Sequence, residues 1–205
     1  MSHHGKYVCI VADHHQLVGV DIVDVMSRSP NAKSSCIEYI KMFSSYLTST
    51  ELAAILKHQS DDNRLTHFYV IWSLKEAYIK AIGLGLGYDL SQISFDVQFD
   101  DSGSVRPLLL NGVATASIKG CVRGEWVFEF SALDDRHVMS IARGPIADAL
   151  VSYAEAAQLR TTACSIVPEC GGEELKACRI GKFGLLKVGF AQVYRSSFIP
   201  NFRID

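Results

Sequence analysis

Between Leu65 and Ile82 apolar residues recur at helical spacing, with Phe68, Ile71, Trp72, Ile79 and Ile82 lining one stripe, and Gly83 follows as a natural stop. Past that glycine the spacing changes. The runs "ISFDVQF" (93–99), "LLLNGVATASIKGCV" (108–122), "EWVFEFSAL" (125–133) and "HVMSIAR" (137–143) are rich in β-branched and aromatic residues, and Asp-Asp-Ser-Gly and Arg-Gly turns divide them. A helix with one apolar stripe has to bury it against another element, and strands joined by short turns supply such a face. The expected fold class is therefore α+β: an antiparallel sheet packed against one long helix and shorter helices.

Upstream, "KYVCIVA" (6–12) and "LVGVDIV" (17–23) read as strands joined by the polar "DHHQ", and are expected to pair as an antiparallel hairpin. Cys36, Ile37, Ile40 and Phe43 then fall at helical spacing. Thr48 with Glu51 three residues later forms a capping-box pattern ahead of "LAAIL", and the polar "HQSDDNR" separates this short helix from the long one. Beyond Pro145, "IADALVSYAEAAQLR" suits a further helix, after which no period is legible to Asp205. The chain divides near Arg143, with 1–143 as the domain and 144–205 as a tail.

At 205 residues and 48% hydrophobic, the chain can bury a substantial core. A net charge of -2 with a pI near 6.4 gives no basic field for nucleic acid or an anionic membrane, so an anionic ligand needs a local site. The six cysteines form no CxxC pair and no zinc framework, as expected of free thiols in a reducing compartment. "MSHHGKYVCIVADHH" lacks the apolar core of a signal peptide, and no window approaches 18 uninterrupted apolar residues. The expectation is a cytosolic protein with no nucleic-acid partner and no membrane partner.

The chemistry concentrates in a few charges set among apolar residues. Asp21 lies inside the strand "VGVDIVDV", where a buried carboxylate requires a partner; a metal or other cation is one, and solvent or a helix N-terminus at a strand end is another. Strand alternation puts Asp21 on the side of Gly19 and Val23, and Asp24 on the opposite side. Within "WSLKEAYIKAIGLGLG" (72–87), Glu76 and Lys80 are four apart, and so share a helix face that borders the apolar stripe at Trp72 and Ile79. They either form an ordinary i,i+4 ion pair or mark a half-buried site. Two carboxylates suit a hard cation such as Mg²⁺, which keeps most of its waters and is completed by substrate phosphates; Lys80 would add a point charge for the same phosphates. "GLGLG" follows a helix instead of preceding one, so it is a C-cap and connection, not a phosphate loop. His3 and His4 are separated from His14 and His15 by the length of a strand, roughly 25 Å, too far to share an ion. His137 reads as structural, and no G-x-S-x-G turn supports a serine hydrolase.

"VGVDIVDV" and "FYVIWSLKEAYIKAIGLGLGYDL" together resemble the two signature motifs of the 4′-phosphopantetheinyl transferases, roughly G-[IV]-D and [FW]-x-x-K-E-[AS]-x-x-K, and "SHHG" is similar to their S-H-x-G element. The likeness spans about residues 2 to 143, and the order, with Ser2-His3 ahead of Asp21, is that of the large surfactin-type branch. It implies transfer of the phosphopantetheine arm of coenzyme A to a serine of an acyl or peptidyl carrier protein, with release of 3′,5′-ADP. It further implies Mg²⁺ held by Asp21 and Glu76, with Lys80 steadying the diphosphate. Glu76 would accept the serine proton, directly or through water, and Ser2 and His3 would contact the nucleotide end. Val23 occupies a position where some relatives carry a third carboxylate. Surfactin-type enzymes resemble two similar halves around one site, and this chain corresponds to the second. The resemblance thus leaves room for a non-catalytic remnant that binds coenzyme A or a carrier protein, or for an inactive interaction fragment. A missing half also implies an apolar flank and self-association.

Overall fold

The structure is a computed structural model and describes residues 1–13, 15–27, 35–99, 111–149 and 191–195. Strands β1 (Ser2–His4), β2 (Tyr7–Val11) and β3 (Leu17–Asp24) are followed by helices α1 (Cys36–Lys41), α2 (Ser49–Leu56) and α3 (Asp61–Ile82). Strands β4 (Ile93–Phe99), β5 (Asn111–Ile118), β6 (Cys121–Val122), β7 (Val127–Ala132), β8 (His137–Gly144) and β9 (Ala191–Arg195) complete the described elements. Among the described residues there are two sheets. The larger runs β3-β8-β7-β5-β4 with β6 beside β5, and the smaller runs β1-β2-β9, with every pairing antiparallel. This is the expected α+β class.

The helices start and stop where local chemistry dictates. Ser35 with Glu38 and Thr48 with Glu51 close reciprocal capping boxes on α1 and α2. Ser60 accepts from the Asn63 amide to begin α3, so "DDNR" is that helix's first turn and not a break before it. Gly83, at φ 79°, ends α3 in the left-handed conformation that a side chain resists. Phe68, Ile71, Leu74, Tyr78 and Ala81 on α3 share one core with Val23, Phe95, Phe128, Phe130 and Ala142 from the larger sheet.

The expected hairpin of 6–12 with 17–23 does not form. β3 pairs with β8 over its whole length, Leu17 opposite Gly144 through Asp24 opposite His137, whereas β2 pairs with β1 and β9. The reason lies in β3 itself, which is apolar on both faces. Leu17 and Val23 join the core under α3, while Val20 and Ile22 cluster with Tyr7, Cys9 and Met139, so the smaller sheet lies across β3 instead of beside it. The run 108–122 is also not one strand. Lys119 and Gly120 at φ 52° and 79° turn the chain between β5 and β6, and residues 108–110 lie outside the described ones. Of the helix expected after Pro145, Ile146–Asp148 form a single 3₁₀ turn and residues 150–160 lie outside the described ones. From the tail, β9 returns to β2.

Candidate functional site

Strand β3 and helix α3 build the site, and Gly19 sets how closely they approach. A Cβ at that position would lie 2.0 Å from the Ala77 carbonyl oxygen and 2.6 Å from the Ala81 nitrogen. Two residues further, on the same face of the strand, Asp21 is 8% exposed and turned toward α3. Its Oδ1 accepts from Lys80 Nζ at 2.6 Å and from Ser2 Oγ at 2.9 Å. The Ser2 hydroxyl donates there and accepts from the Ile22 amide and from Lys80 Nζ, each at 3.3 Å. Strand, helix and N-terminal hairpin thus converge on one carboxylate oxygen.

Glu76 lies one turn before Lys80 on α3 and is half-buried. Burial pushes its carboxyl above the usual glutamate range, the like charge of Asp21 pushes it further, and Lys80 pulls it back. Glu76 therefore senses both partners. Lys80 makes its ion pair with Asp21 and not the i,i+4 pair with Glu76 that its spacing also allowed. Asp24 faces away, as strand parity requires, and pairs with Arg136 Nη2 at 2.6 Å. His3 is exposed, and the alternation of β1 turns it to the opposite side from Ser2, so it does not join the cluster. His14 lies outside the described residues.

The donor set admits a metal of a particular kind. Among the described residues no group of three or more His, Cys, Asp or Glu could hold an ion. What the site offers is two carboxylates, one of them destabilised by the charge of the other. Hard oxygen donors few in number fit Mg²⁺, which takes one or two carboxylates and fills its remaining positions with water and phosphate oxygens.

Sequence reasoning missed a second charged constellation. Lys75, between Leu74 and Glu76, is fully buried, and its Nζ donates to Glu51 Oε2 and Ile93 O at 2.8 Å and to Tyr46 O and Leu90 O at 2.9 Å. Glu51 closes the arrangement, accepting from the Thr48 amide through Oε2 and from the Phe95 amide through Oε1. Burial depresses the Lys75 ammonium against the pull of Glu51. Of the lysine-glutamate pair in the long motif, only Glu76 therefore faces the site.

A family model described as the 4′-phosphopantetheinyl transferase superfamily matches residues 17–142. The L-aminoadipate-semialdehyde dehydrogenase-phosphopantetheinyl transferase of Xenopus laevis is 34% identical over 150 residues, covering 71% of this chain and 46% of its own length. Its namesake from Homo sapiens is 31% identical over 147 residues, 69% of this chain and 44% of that one. The 4′-phosphopantetheinyl transferase of Bacillus subtilis is 33% identical over 112 residues, 55% of this chain and 44% of its own. Among solved structures, a holo-ACP-synthase from Plasmodium yoelii superposes with a TM-score of 0.40 at 14% identity, covering 65% of this chain and 98% of that one. The chain spans about half the length of the curated relatives it matches. Asp21, Glu76 and Lys80 all fall within the span the family model matches, and the chain belongs to the 4′-phosphopantetheinyl transferase superfamily.

Proposed function

We propose that this chain carries the reaction centre for moving the phosphopantetheine group of coenzyme A onto a serine of an acyl or peptidyl carrier protein. The observation that supports it best is the convergence of Ser2, Asp21 and Lys80 within hydrogen-bond distance beside a half-buried Glu76, on the motif residues of the family. In the reaction the carrier serine oxygen bonds to the phosphorus next to pantetheine, and the bond from that phosphorus to the bridging diphosphate oxygen breaks. The electron pair leaves with 3′,5′-ADP. Glu76, whose raised pKa makes it a better base than an exposed glutamate, accepts the serine proton directly or through water. Lys80 supplies a positive charge to the diphosphate, and Ser2 holds Asp21 and Lys80 in register. By the family resemblance Ser2 and His3 would contact the nucleotide end, although β1 turns the two side chains to opposite faces. Asp21 and Glu76 would hold Mg²⁺, which when bound neutralises charge on the diphosphate as it develops.

The test is incubation with Mg²⁺, coenzyme A and an apo carrier protein. The expected result is a carrier heavier by one phosphopantetheine, with Glu76→Gln abolishing the gain. No mass gain from this chain, nor from a version extended to the full length of its relatives, overturns the proposal. The 46% coverage of the Xenopus laevis relative favours one second reading, a half that binds coenzyme A or carrier without turning it over. Thermal stabilisation by coenzyme A without transfer supports that reading. The absence of any response to either ligand supports an inactive interaction fragment.

A further inference from the structure

The hairpin that brings Ser2 to Asp21 is short, three residues in β1 and five in β2, and strands of that length depend on tertiary contacts. β2 pairs with β9, and Tyr7 and Cys9 pack with Val20, Ile22 and Met139. A further anchor lies at the hairpin's tip. In the turn between β7 and β8, Asp134 accepts from the Tyr7 hydroxyl at 3.0 Å and from Lys6 Nζ at 3.1 Å, both from the hairpin. The same carboxylate accepts from the Arg136 amide at 2.9 Å and from the His137 amide at 2.7 Å, which fixes it to its own turn. It also meets His137 Nδ1 at 2.9 Å. The Nε2 edge of the ring faces Gly5, where a Cβ would lie 3.3 Å from Nε2, in a residue already at φ 55°. The His4 and Tyr7 rings pack edge-on against the same imidazole, with centroids at 5.8 and 5.1 Å.

The carboxylate is well suited to this task. Burial works against its charge, but the amides of Arg136 and His137, the imidazole and Lys6 outweigh burial and hold Asp134 well below the usual carboxylate range. It stays an acceptor of five hydrogen bonds across the neutral range. A histidine at 9% exposure thus packs against the glycine of the "SHHG" element, while its acid partner holds Lys6 and Tyr7.

We propose that Asp134 and His137 are positioning residues for the candidate site: they clamp the tip of the β1–β2 hairpin to the larger sheet and so hold Ser2 against Asp21 and Lys80. What that contact does in the reaction rests on the function proposed above, whereas the clamp itself rests on the geometry alone. Loosening the hairpin frees Asp21 and Lys80 from the Ser2 hydroxyl, so its effect falls on kcat/KM and not on KM alone.

The experiment compares the full chain with Asp134→Asn and His137→Asn, and with Gly5→Ala as a third variant that keeps both clamp residues. Amide hydrogen exchange is expected to accelerate about tenfold or more in β1 and β2, with α3 unchanged, because the hairpin opens locally. The kcat/KM for coenzyme A is expected to fall about tenfold, a tenfold change being ~1.4 kcal/mol. Unchanged exchange in the hairpin overturns the proposal, as does equal acceleration in α3, which marks a general loss of stability. A looser hairpin with unaltered kcat/KM overturns the positioning role. If the unaltered chain neither binds coenzyme A nor transfers, the functional proposal fails, and the exchange result alone decides the clamp.

Discussion

Glu76 combines a functional demand with a structural cost. Its carboxyl is raised by burial and by Asp21, so in the folded chain it holds a proton to higher pH than in the unfolded chain. The folded state then binds more protons between the two pKa values, and stability falls as pH rises through that window. Above it the ionised Glu76 works against the fold. Glu76→Gln is accordingly expected to raise the melting temperature at neutral pH while abolishing transfer, and a thermal melt beside a transfer assay checks both. The neighbours set the position of the window. Without added metal, Lys80→Met removes the charge that lowers the pKa and should move the Glu76 titration upward, whereas Asp21→Asn removes the charge that raises it and should move it downward. A ¹³C-detected titration of the side-chain carboxyl reads both shifts, and movement in the same direction would show that Asp21 and Lys80 are not its determinants.

Helix α3 has to be rolled correctly for Glu76 and Lys80 to face β3. Successive helical residues are about 100° apart, so fixing Lys75 among the oxygens of Tyr46, Glu51, Leu90 and Ile93 fixes Glu76 as well. On the sheet side, Ser73 Oγ meets Ser140 Oγ at 2.5 Å, and Gly19 admits the helix backbone. Lys75→Met would leave the Glu51 carboxylate buried without its cation and is expected to cost roughly 3–5 kcal/mol in urea unfolding. Pairing it with Glu51→Gln should recover part of that loss, and a double variant no more stable than Lys75→Met alone would mean the ion pair is not what stabilises the helix there. Gly19→Ala forces β3 and α3 apart and should cost roughly 1–3 kcal/mol or more by the same measurement. The sequence made α3 legible because recurring apolar residues and a terminal glycine are local signals, but the expected single stripe understated its burial, which runs unbroken from Leu65 to Ile71. The Asp21–Glu76 neighbourhood was legible only through the motifs, since nothing local says that a strand ending at Asp24 meets a helix beginning at Asp61. Lys75 was unreadable for a related reason: its carboxylate partner lies 24 residues away, and two of its carbonyl partners follow the helix. The pairing of β3 with β8 instead of β2 was likewise decided by what covers each face of β3 and not by the length of the intervening turn.

At the scale of the molecule, the larger sheet has α3 on one face and, over β3, the smaller sheet on the other. Toward β5 and β7 that second face leaves Val113 and Val127 exposed, at 52% and 42%. These valines stand opposite Glu129 and Arg143, which pair with each other, so the face is mixed in character. We propose self-association through the two valines, and sedimentation velocity over a wide concentration range should then show a mass that rises with concentration and reverts in Val127→Lys. A single invariant monomer mass would count against it. β3 is the outermost strand of the larger sheet among the described residues, and there the Ile22 amide is occupied by a side-chain oxygen, that of Ser2. Any polypeptide that lengthened the sheet at this border would have to compete with that hydroxyl for the amide. Growth of the architecture and integrity of the Asp21 contact are therefore coupled through one serine.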